Sequence, residues 1–236
     1  RKNNLLIKHL ICGPHWSLEK KVLIDQVRKF EKPTTLLSNC SGKHSGMLLL
    51  SKLLKENPSH YESLDHPVQK RIIEILNILT GQNILEFPHG IDGCGVPAFS
   101  APIKIWARAF ARFASGDDIP EELNEGRKII SNSIANEPLM IAGERRICTA
   151  IARNLGHQIT PKMGAEAVYC CSLNDKGLGL ILKCRDGSNR AVEFALGEVL
   201  KTLNYDISDD LNKFFNDKLY NIAGREVGLK KIKVLN

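Results

Sequence analysis

Apolar residues recur at helical spacing over most of the first two thirds of the chain. Such spacing, three or four residues apart, places apolar side chains on one face of a helix. Prolines, glycines and short polar runs interrupt the pattern and divide it into separate elements. The helices that it predicts cover residues 17–30, 44–57, 65–80, 103–115, 121–136 and 144–154.

The pattern changes after Gly156, where short apolar runs of strand length replace the helical spacing. Two of these runs, 167–171 and 178–184, flank a polar turn sequence at 174–177. Together they predict a β-hairpin. The remaining predicted elements are a helix over 191–203 and an edge strand over 226–235.

The order of these elements bears on the fold class. Helices come first and strands later, which favours an α+β fold, here a mixed α/β sandwich, over a regular alternation of strands and helices. At 236 residues and 43% hydrophobic, the chain is long enough to bury a core as one domain. We expect residues 1–155 to be mainly helical and residues 156–236 to be rich in strands.

Composition disfavours several classes of protein. No apolar run reaches the roughly 20 residues that a membrane-spanning helix needs, so we expect no membrane association. The net charge of +7 is spread along the chain and only 6% of residues are aromatic, so we expect no nucleic-acid partner. Seven cysteines without a Cys-x-x-Cys pair fit a reducing cytoplasm better than a disulfide framework.

Two glycine-rich segments, residues 38–47 and 90–97, each combine cysteine with a charged side chain. Glycine lets the backbone approach a ligand or another backbone closely, so we expect both segments to be loops that precede helices. Two turns with buried cysteines are the alternative, because cysteine is among the most often buried residues. The side chains of interest are Cys40, Lys43, Asp92 and Cys94.

A metal site is one interpretation of these four side chains. Two thiolates from separate segments, with a carboxylate alongside, suit zinc or a similarly soft ion. Lysine is an unusual ligand, because its amine binds a metal only after losing its proton. Spacing alone leaves the choice between a metal site and unpaired buried thiols open.

Motifs along the chain resemble the rhizobial-type L-asparaginase family, a bacterial class unrelated to the threonine-nucleophile asparaginases. The resemblance implies a fold similar to serine β-lactamases and glutaminases. It also implies hydrolysis of L-asparagine to L-aspartate and ammonia, with a small amino-acid amide as the ligand. In order, and over nearly the whole chain, the motifs are residues 38–47, 65–67, 92–97, 142–144, 148–149 and 162–166.

The resemblance assigns a metal site to the two glycine-rich segments. Cys40, Lys43 and Cys94 match the family's zinc ligands. Asp92 matches a residue that reaches the metal through water. Zinc is therefore the cofactor that the resemblance implies, and a homodimer is the oligomer.

The resemblance assigns the reaction to a later part of the chain. Lys162 matches the lysine that accepts the proton of a catalytic serine, which attacks the side-chain amide and forms an acyl-enzyme. His44 and Cys148 match positions that line this site. Each residue also has an ordinary alternative: a surface position for Lys162, a core position for Cys148 and a helix cap for His44.

The chain departs from the family pattern at its beginning. Family members carry a long region before the segment that residues 12–15 resemble, and that region holds a Ser-x-x-Lys tandem and the serine paired with the Lys162 position. The sequence therefore resembles the C-terminal two thirds of an asparaginase. Two hypotheses follow: an asparaginase that needs a separate N-terminal fragment, or a catalytically inactive remnant that binds zinc.

Overall fold

The computed structural model describes residues 5–233 and divides the chain into two compact units, Arg1–Pro102 and Ile103–Asn236. The predicted α+β class is confirmed, since helices and small antiparallel sheets are both present. The change from helices to strands after Gly156 falls within the second unit. Over the described part of the chain, every helix is too short or too polar to cross a membrane.

The first unit consists of three helices followed by a short hairpin. Two of the helices lie inside their predicted ranges, whereas the second begins at Ser41 and not at His44. The hairpin was not predicted. The elements are α1 (Lys20–Arg28), α2 (Ser41–Leu53), α3 (Pro67–Thr80), β1 (His89–Ile91) and β2 (Pro97–Phe99).

Both glycine-rich segments were predicted as loops, and the structure corrects this for residues 38–47, whereas residues 92–96 of the second segment do form a turn. Cys40 is the cap residue of α2, so Lys43 lies in the first turn of a helix. The second segment forms the end of the β1–β2 hairpin, with Ile91 paired to Pro97. The prediction failed because a helical glycine costs only about 1 kcal/mol, which the apolar face of α2 offsets.

The second unit is built on an antiparallel sheet with the strand order β3–β4–β5. The predicted hairpin is confirmed as β4 and β5, but β3 and α6 were not predicted. The sequence does not predict β3 because this strand contains Pro161, and proline is tolerated in a sheet only at an edge strand or a bulge. The elements are α4 (Ile103–Ser115), α5 (Glu121–Asn136), α6 (Leu139–Ala142), α7 (Ile147–Leu155), β3 (Ile159–Met163), β4 (Val168–Leu173), β5 (Leu178–Lys183), α8 (Asn189–Thr202), α9 (Asp209–Asn212), β6 (Lys218–Tyr220) and β7 (Glu226–Leu229).

Helices cover both faces of the β3–β4–β5 sheet. On one face, α7 and α8 pack against alternate residues of β4 in the main buried core. On the other face, α4 lies directly on β5, where a Cβ atom at Gly179 would overlap the carbonyl oxygen of Ala107. Across the same contact, the buried hydroxyl of Ser172 donates to the carbonyl of Phe110 at 2.8 Å. This sheet fixes the positions of Lys162 and of its neighbours.

The predicted edge strand over 226–235 is shorter in the structure. β7 ends at Leu229 and pairs with β6 in a separate two-stranded sheet. Residues 234–235 of that prediction lie outside the described residues. Lysines at 230 and 231 follow the strand, and charged side chains at such an edge disfavour pairing with another chain.

The turn between β4 and β5 is tied to the segment after α8. The Tyr205 hydroxyl donates to the Asp175 carboxylate at 2.6 Å, and the Lys176 amine lies 4.9 Å from the centre of the Tyr205 ring. We expect Tyr205→Phe to lower the free energy of unfolding by about 1–2 kcal/mol, because this bond is lost while the ring remains. Urea unfolding of this variant beside Tyr220→Phe, whose ring is exposed, measures the effect. Equal stabilities of the two variants would contradict the prediction.

Candidate functional site

The four residues of the predicted metal site come together in the first unit. Lys43 projects from α2, whereas Asp92 and Cys94 lie in the turn between β1 and β2. The Lys43 amine is 2.8 Å from Asp92 Oδ2, and the Cys94 thiol donates to Asp92 Oδ1 at 3.0 Å. Cys40 packs against the buried cluster that contains Cys94. One carboxylate thus bridges an ammonium and a thiol.

The backbone of its own turn holds Asp92 in this position. Oδ1 accepts hydrogen bonds from the N–H groups of Cys94 at 2.9 Å and Val96 at 3.1 Å. Gly95 completes the turn at φ 92°, a value that side chains disfavour. With Oδ1 occupied by its own turn, the carboxylate directs Oδ2 at Lys43.

The carboxyl, thiol and amine groups of this network differ in the direction of their pKa shifts. Burial opposes ionisation of Asp92, but its bonds to Cys94 and Lys43 hold the pKa of that carboxyl well below its usual range. Burial raises the pKa of the Cys94 thiol to about 11, and the bond to Asp92 acts in the same direction. Burial opposes the charge on Lys43, but the bonds to Asp92 and Cys94 raise the pKa of its amine above the usual value. The described state therefore combines a carboxylate, an ammonium and a protonated thiol.

These residues suit zinc in their chemistry but not in the arrangement described. Thiolates and a carboxylate are donors that zinc commonly takes. Within residues 5–233, however, no group of three or more His, Cys, Asp or Glu side chains is placed to hold a metal ion. The Lys43 ammonium instead neutralises Asp92 directly. Zinc binding stays a prediction, and it requires the amine and the thiols to give up their protons.

His44, which was predicted to line the substrate site, is enclosed beside this network. Its side chain is fully buried, with Nδ1 2.5 Å from the hydroxyl oxygen of Tyr61. Its Nε2 has no hydrogen-bond partner among the described residues. Burial lowers the pKa of His44, and the charge on Lys43 acts in the same direction. Contact between His44 and a substrate stays a prediction.

Lys162 lies in β3, on the sheet of the second unit, paired in register with Cys170 of β4. Its side chain is exposed, and the amine donates to the carbonyl of Met163 at 2.5 Å. In the described part of the chain, no serine or threonine hydroxyl bonds to this amine. The position is open to a substrate, but among residues 5–233 the serine that the predicted reaction needs is not hydrogen-bonded to this amine. The role of Lys162 as a base stays a prediction.

Cys148 is buried at the start of α7 and is 2% exposed. Its sulfur accepts a hydrogen bond from the Met163 N–H at 3.2 Å. Burial raises the pKa of the Cys148 thiol, and the neighbouring Tyr169 and Met163 N–H oppose this only in part. The thiol is therefore protonated near neutral pH and packs as a core residue. Its contact with a substrate stays a prediction.

The comparison with protein families decides the classification. A model of the family described as L-asparaginase II matches residues 1–232. The chain belongs to the L-asparaginase II family. The family resemblance drawn from the motifs is thereby confirmed, and the protein falls among the asparaginase-type amidohydrolases. No curated protein sequence matches the chain.

Tyr61 is a residue of this asparaginase-family chain that sequence reasoning missed. Its hydroxyl contacts His44 and accepts the N–H of Ile11 at 3.3 Å, while its carbonyl accepts the Gln69 side-chain amide at 2.8 Å. It therefore joins α2, α3 and the chain before α1. The only signal was an aromatic residue in a polar segment between two predicted helices.

His15 is a second residue that was missed, and it fixes the start of α2 in this family member. Its Nε2 accepts the N–H of Asn39 at 2.9 Å, and its Nδ1 is 2.6 Å from the carbonyl oxygen of Trp16. Because Nε2 is the acceptor, Nδ1 carries the proton and donates it to that carbonyl. The residue that His15 holds directly precedes Cys40.

We expect His15→Leu to lower the free energy of unfolding by about 1–2 kcal/mol, because the Asn39 N–H and the Trp16 carbonyl both lose their partner. His15→Gln keeps a side-chain acceptor and is expected to lose less. Urea unfolding and hydrogen exchange at the Asn39 amide measure the difference. Exchange as slow in the leucine variant as in the unmodified protein would contradict the prediction.

Proposed function

We propose that this protein converts L-asparagine and water to L-aspartate and ammonia. The observation that carries the proposal is the match to the L-asparaginase II family over residues 1–232. The clustering of Cys40, Lys43, Asp92 and Cys94, contributed by α2 and the β1–β2 turn, supports it.

Lys162 is the proposed general base. In its neutral form, a lysine amine accepts the proton of a serine hydroxyl while the serine oxygen bonds to the amide carbon. Ammonia then leaves with a proton, and water cleaves the acyl-enzyme to release aspartate. The exposed position of Lys162 leaves room for both partners. Because no hydroxyl of residues 5–233 bonds to its amine, we propose that a separate segment supplies the serine.

Zinc is the proposed cofactor of the first unit. Cys40, Lys43 and Cys94 would be its ligands, with Asp92 reaching it through water. A bound zinc ion supplies a fixed positive charge that stabilises negative charge nearby. The protein's own contribution is the convergence of these donors from two elements, with Asp92 oriented by its turn.

The second candidate function is zinc binding without catalysis. One observation favours it: the Lys162 amine donates to a backbone carbonyl and has no hydroxyl partner among the described residues. In this case the cluster around Asp92 is retained while the reaction centre is incomplete. L-Asparagine would then be neither bound productively nor hydrolysed.

One experiment separates the two candidates. Ammonia release from L-asparagine is measured with the purified chain, and zinc is quantified in the same sample. The variants are Lys162→Met and, as a matched control, Lys128→Met on the exposed side of α5. If Lys162→Met abolishes ammonia release and Lys128→Met retains it, the asparaginase proposal is supported.

A further arm adds, as a separate polypeptide, a segment carrying the family's Ser-x-x-Lys tandem. Activity that arises only after this addition supports an asparaginase completed by a second fragment. Zinc at about one equivalent without activity in either arm supports the non-catalytic candidate. Activity that persists in Lys162→Met would overturn the role of that lysine.

Location and partners extend the proposal. All seven cysteines are free thiols, which supports a reducing cytoplasm as the location. We also propose a homodimer that does not bind nucleic acid. Sedimentation measures the first property, and retention on DNA at low salt would contradict the second.

A further inference from the structure

Two positively charged side chains reach the same residue, Met163, at the end of β3. Arg146 Nη2 lies 3.8 Å from the Met163 sulfur, and the Lys162 amine donates to the Met163 carbonyl at 2.5 Å. Arg146 directly precedes α7, and its carbonyl accepts the N–H of Ala150 at 3.0 Å, so its backbone is fixed by the helix. A helix start and a sheet edge thus direct two cations to one small region of the second unit.

Neither cation is neutralised by a carboxylate in the described part of the chain. Some other arginines of the second unit have acidic partners, since Arg153 pairs with Glu144 at 3.1 Å and Arg190 with Asp186 at 3.4 Å. The charge of Arg146 acts on Glu193, but these two side chains form no ion pair among the described residues. Burial raises the pKa of Glu193, and the charges of Lys230 and Arg146 oppose this only in part.

A carboxylate on a small ligand matches this region in charge. The planar guanidinium of arginine presents parallel N–H donors that bind both oxygens of a carboxylate, which a lysine ammonium does not do. An amino acid with a side-chain amide, such as L-asparagine, carries an α-carboxylate a few bonds from that amide. Arg146 contacts the Met163 sulfur and Lys162 the Met163 carbonyl, so both cations lie at the same end of β3.

We infer that Arg146 binds the α-carboxylate of the substrate and thereby presents the side-chain amide to Lys162. The inference rests on the proposed function and deepens it, since it names the part of the substrate that the protein selects. It requires an amide with a free α-carboxylate as the substrate. An analogue whose α-carboxylate is replaced by a carboxamide lacks the charge that Arg146 recognises.

The kinetic test compares L-asparagine with L-asparagine amide in Arg146→Gln. We expect KM for L-asparagine to rise by about 10- to 100-fold, the range for loss of a charged hydrogen-bonded pair. We expect kcat/KM for L-asparagine amide to stay within about twofold, since that substrate never engaged the guanidinium. A merely structural role would lower kcat/KM for both substrates together, and that result would overturn the inference.

Arg145→Gln is the matched control, because Arg145 is the exposed neighbour of Arg146 and has no ion-pair partner among the described residues. It should leave the preference for L-asparagine unchanged. Arg146→Lys keeps the charge without the planar fork and should restore only part of the preference. Equal loss in Arg145→Gln and Arg146→Gln would count against a specific site.

A binding measurement separates failure of the inference from failure of the proposed function. Isothermal titration of L-aspartate, the product, needs no turnover. If the chain has no activity, but Arg146→Gln weakens L-aspartate binding by about 10-fold or more and Arg145→Gln does not, the inference is supported while the proposed function fails. Asparagine hydrolysis with an unchanged preference in Arg146→Gln overturns the inference alone. Neither hydrolysis nor L-aspartate binding overturns both.

Discussion

Replacing Gly179 by alanine is expected to lower the free energy of unfolding by about 3 kcal/mol, the upper part of the range for overpacking. The added Cβ would overlap the carbonyl oxygen of Ala107 and lie 2.5 Å from the amide nitrogen of Ala111. Both atoms belong to the backbone of α4, which the hydrogen bonds of the helix hold in place. Relief therefore requires α4 to move away from β5 as a whole.

The movement of α4 would also break the bond between the Ser172 hydroxyl and the Phe110 carbonyl. Urea unfolding followed by circular dichroism measures the loss. Gly126→Ala is the control, because no atom lies within 4 Å of a Cβ at that position inside α5. That change should raise stability by up to about 1 kcal/mol through helix propensity. A Gly179→Ala variant as stable as the Gly126→Ala variant would contradict the predicted packing.

Replacing Arg127 by methionine is expected to lower the free energy of unfolding by about 2–4 kcal/mol. The half-buried guanidinium donates to several carbonyls, and these lose their partner when it is removed. Arg127 Nη1 donates to the carbonyls of Phe113 at 3.2 Å and Ala114 at 2.9 Å, and Nη2 donates to that of Ser115 at 3.0 Å. These are the last carbonyls of α4, which have no partner within the helix. One side chain of α5 thus satisfies the end of α4.

Two companion variants make the Arg127 experiment specific. Arg127→Lys keeps the charge but presents a single nitrogen, so it should recover less than half of the lost stability. Lys128→Met removes a neighbouring exposed charge and should change stability by less than about 0.5 kcal/mol. Thermal melting of the three variants measures the order. Equal melting temperatures for Arg127→Met and Lys128→Met would contradict the capping role.

The sequence predicts those elements whose signals are local. The ranges 103–115 and 121–136 agree with α4 and α5 because Gly116 and Pro120 interrupt the helical spacing between them. The β4–β5 hairpin likewise follows from a turn sequence between two apolar runs. In each of these cases the residues that end an element lie next to it in the chain.

Elements and contacts that depend on distant residues were harder to predict. β3 contains Pro161, and only its place at the edge of the sheet permits that residue. Lys43 and Asp92 form a pair although they are 49 residues apart in the chain. Residue spacing alone does not predict that two such distant side chains meet. Family motifs indicated that these residues belong together. They did not indicate that Asp92 would hold an ammonium.

In the candidate site, too, the sequence identified residues but did not predict how these residues are arranged. Motif similarity selected Lys162 and Cys148, but the burial of Cys148 follows from how α7 packs on the sheet. Arg146 was missed because an arginine in a charged run has no pattern of its own. Its significance comes from its contact with Met163, the residue that Lys162 also contacts, which only the folded chain reveals.

Pro161 also affects the balance of donors and acceptors at the outer edge of its sheet. β3 is the outer strand of the β3–β4–β5 sheet, and half of the N–H and C=O groups of such a strand point away from its neighbour. Ile159, Thr160 and Pro161 are nevertheless buried, so water does not freely reach this part of the strand. A buried N–H without a partner costs stability, and proline has no N–H to bury. The native residue therefore avoids an unsatisfied donor on the strand that also carries Lys162.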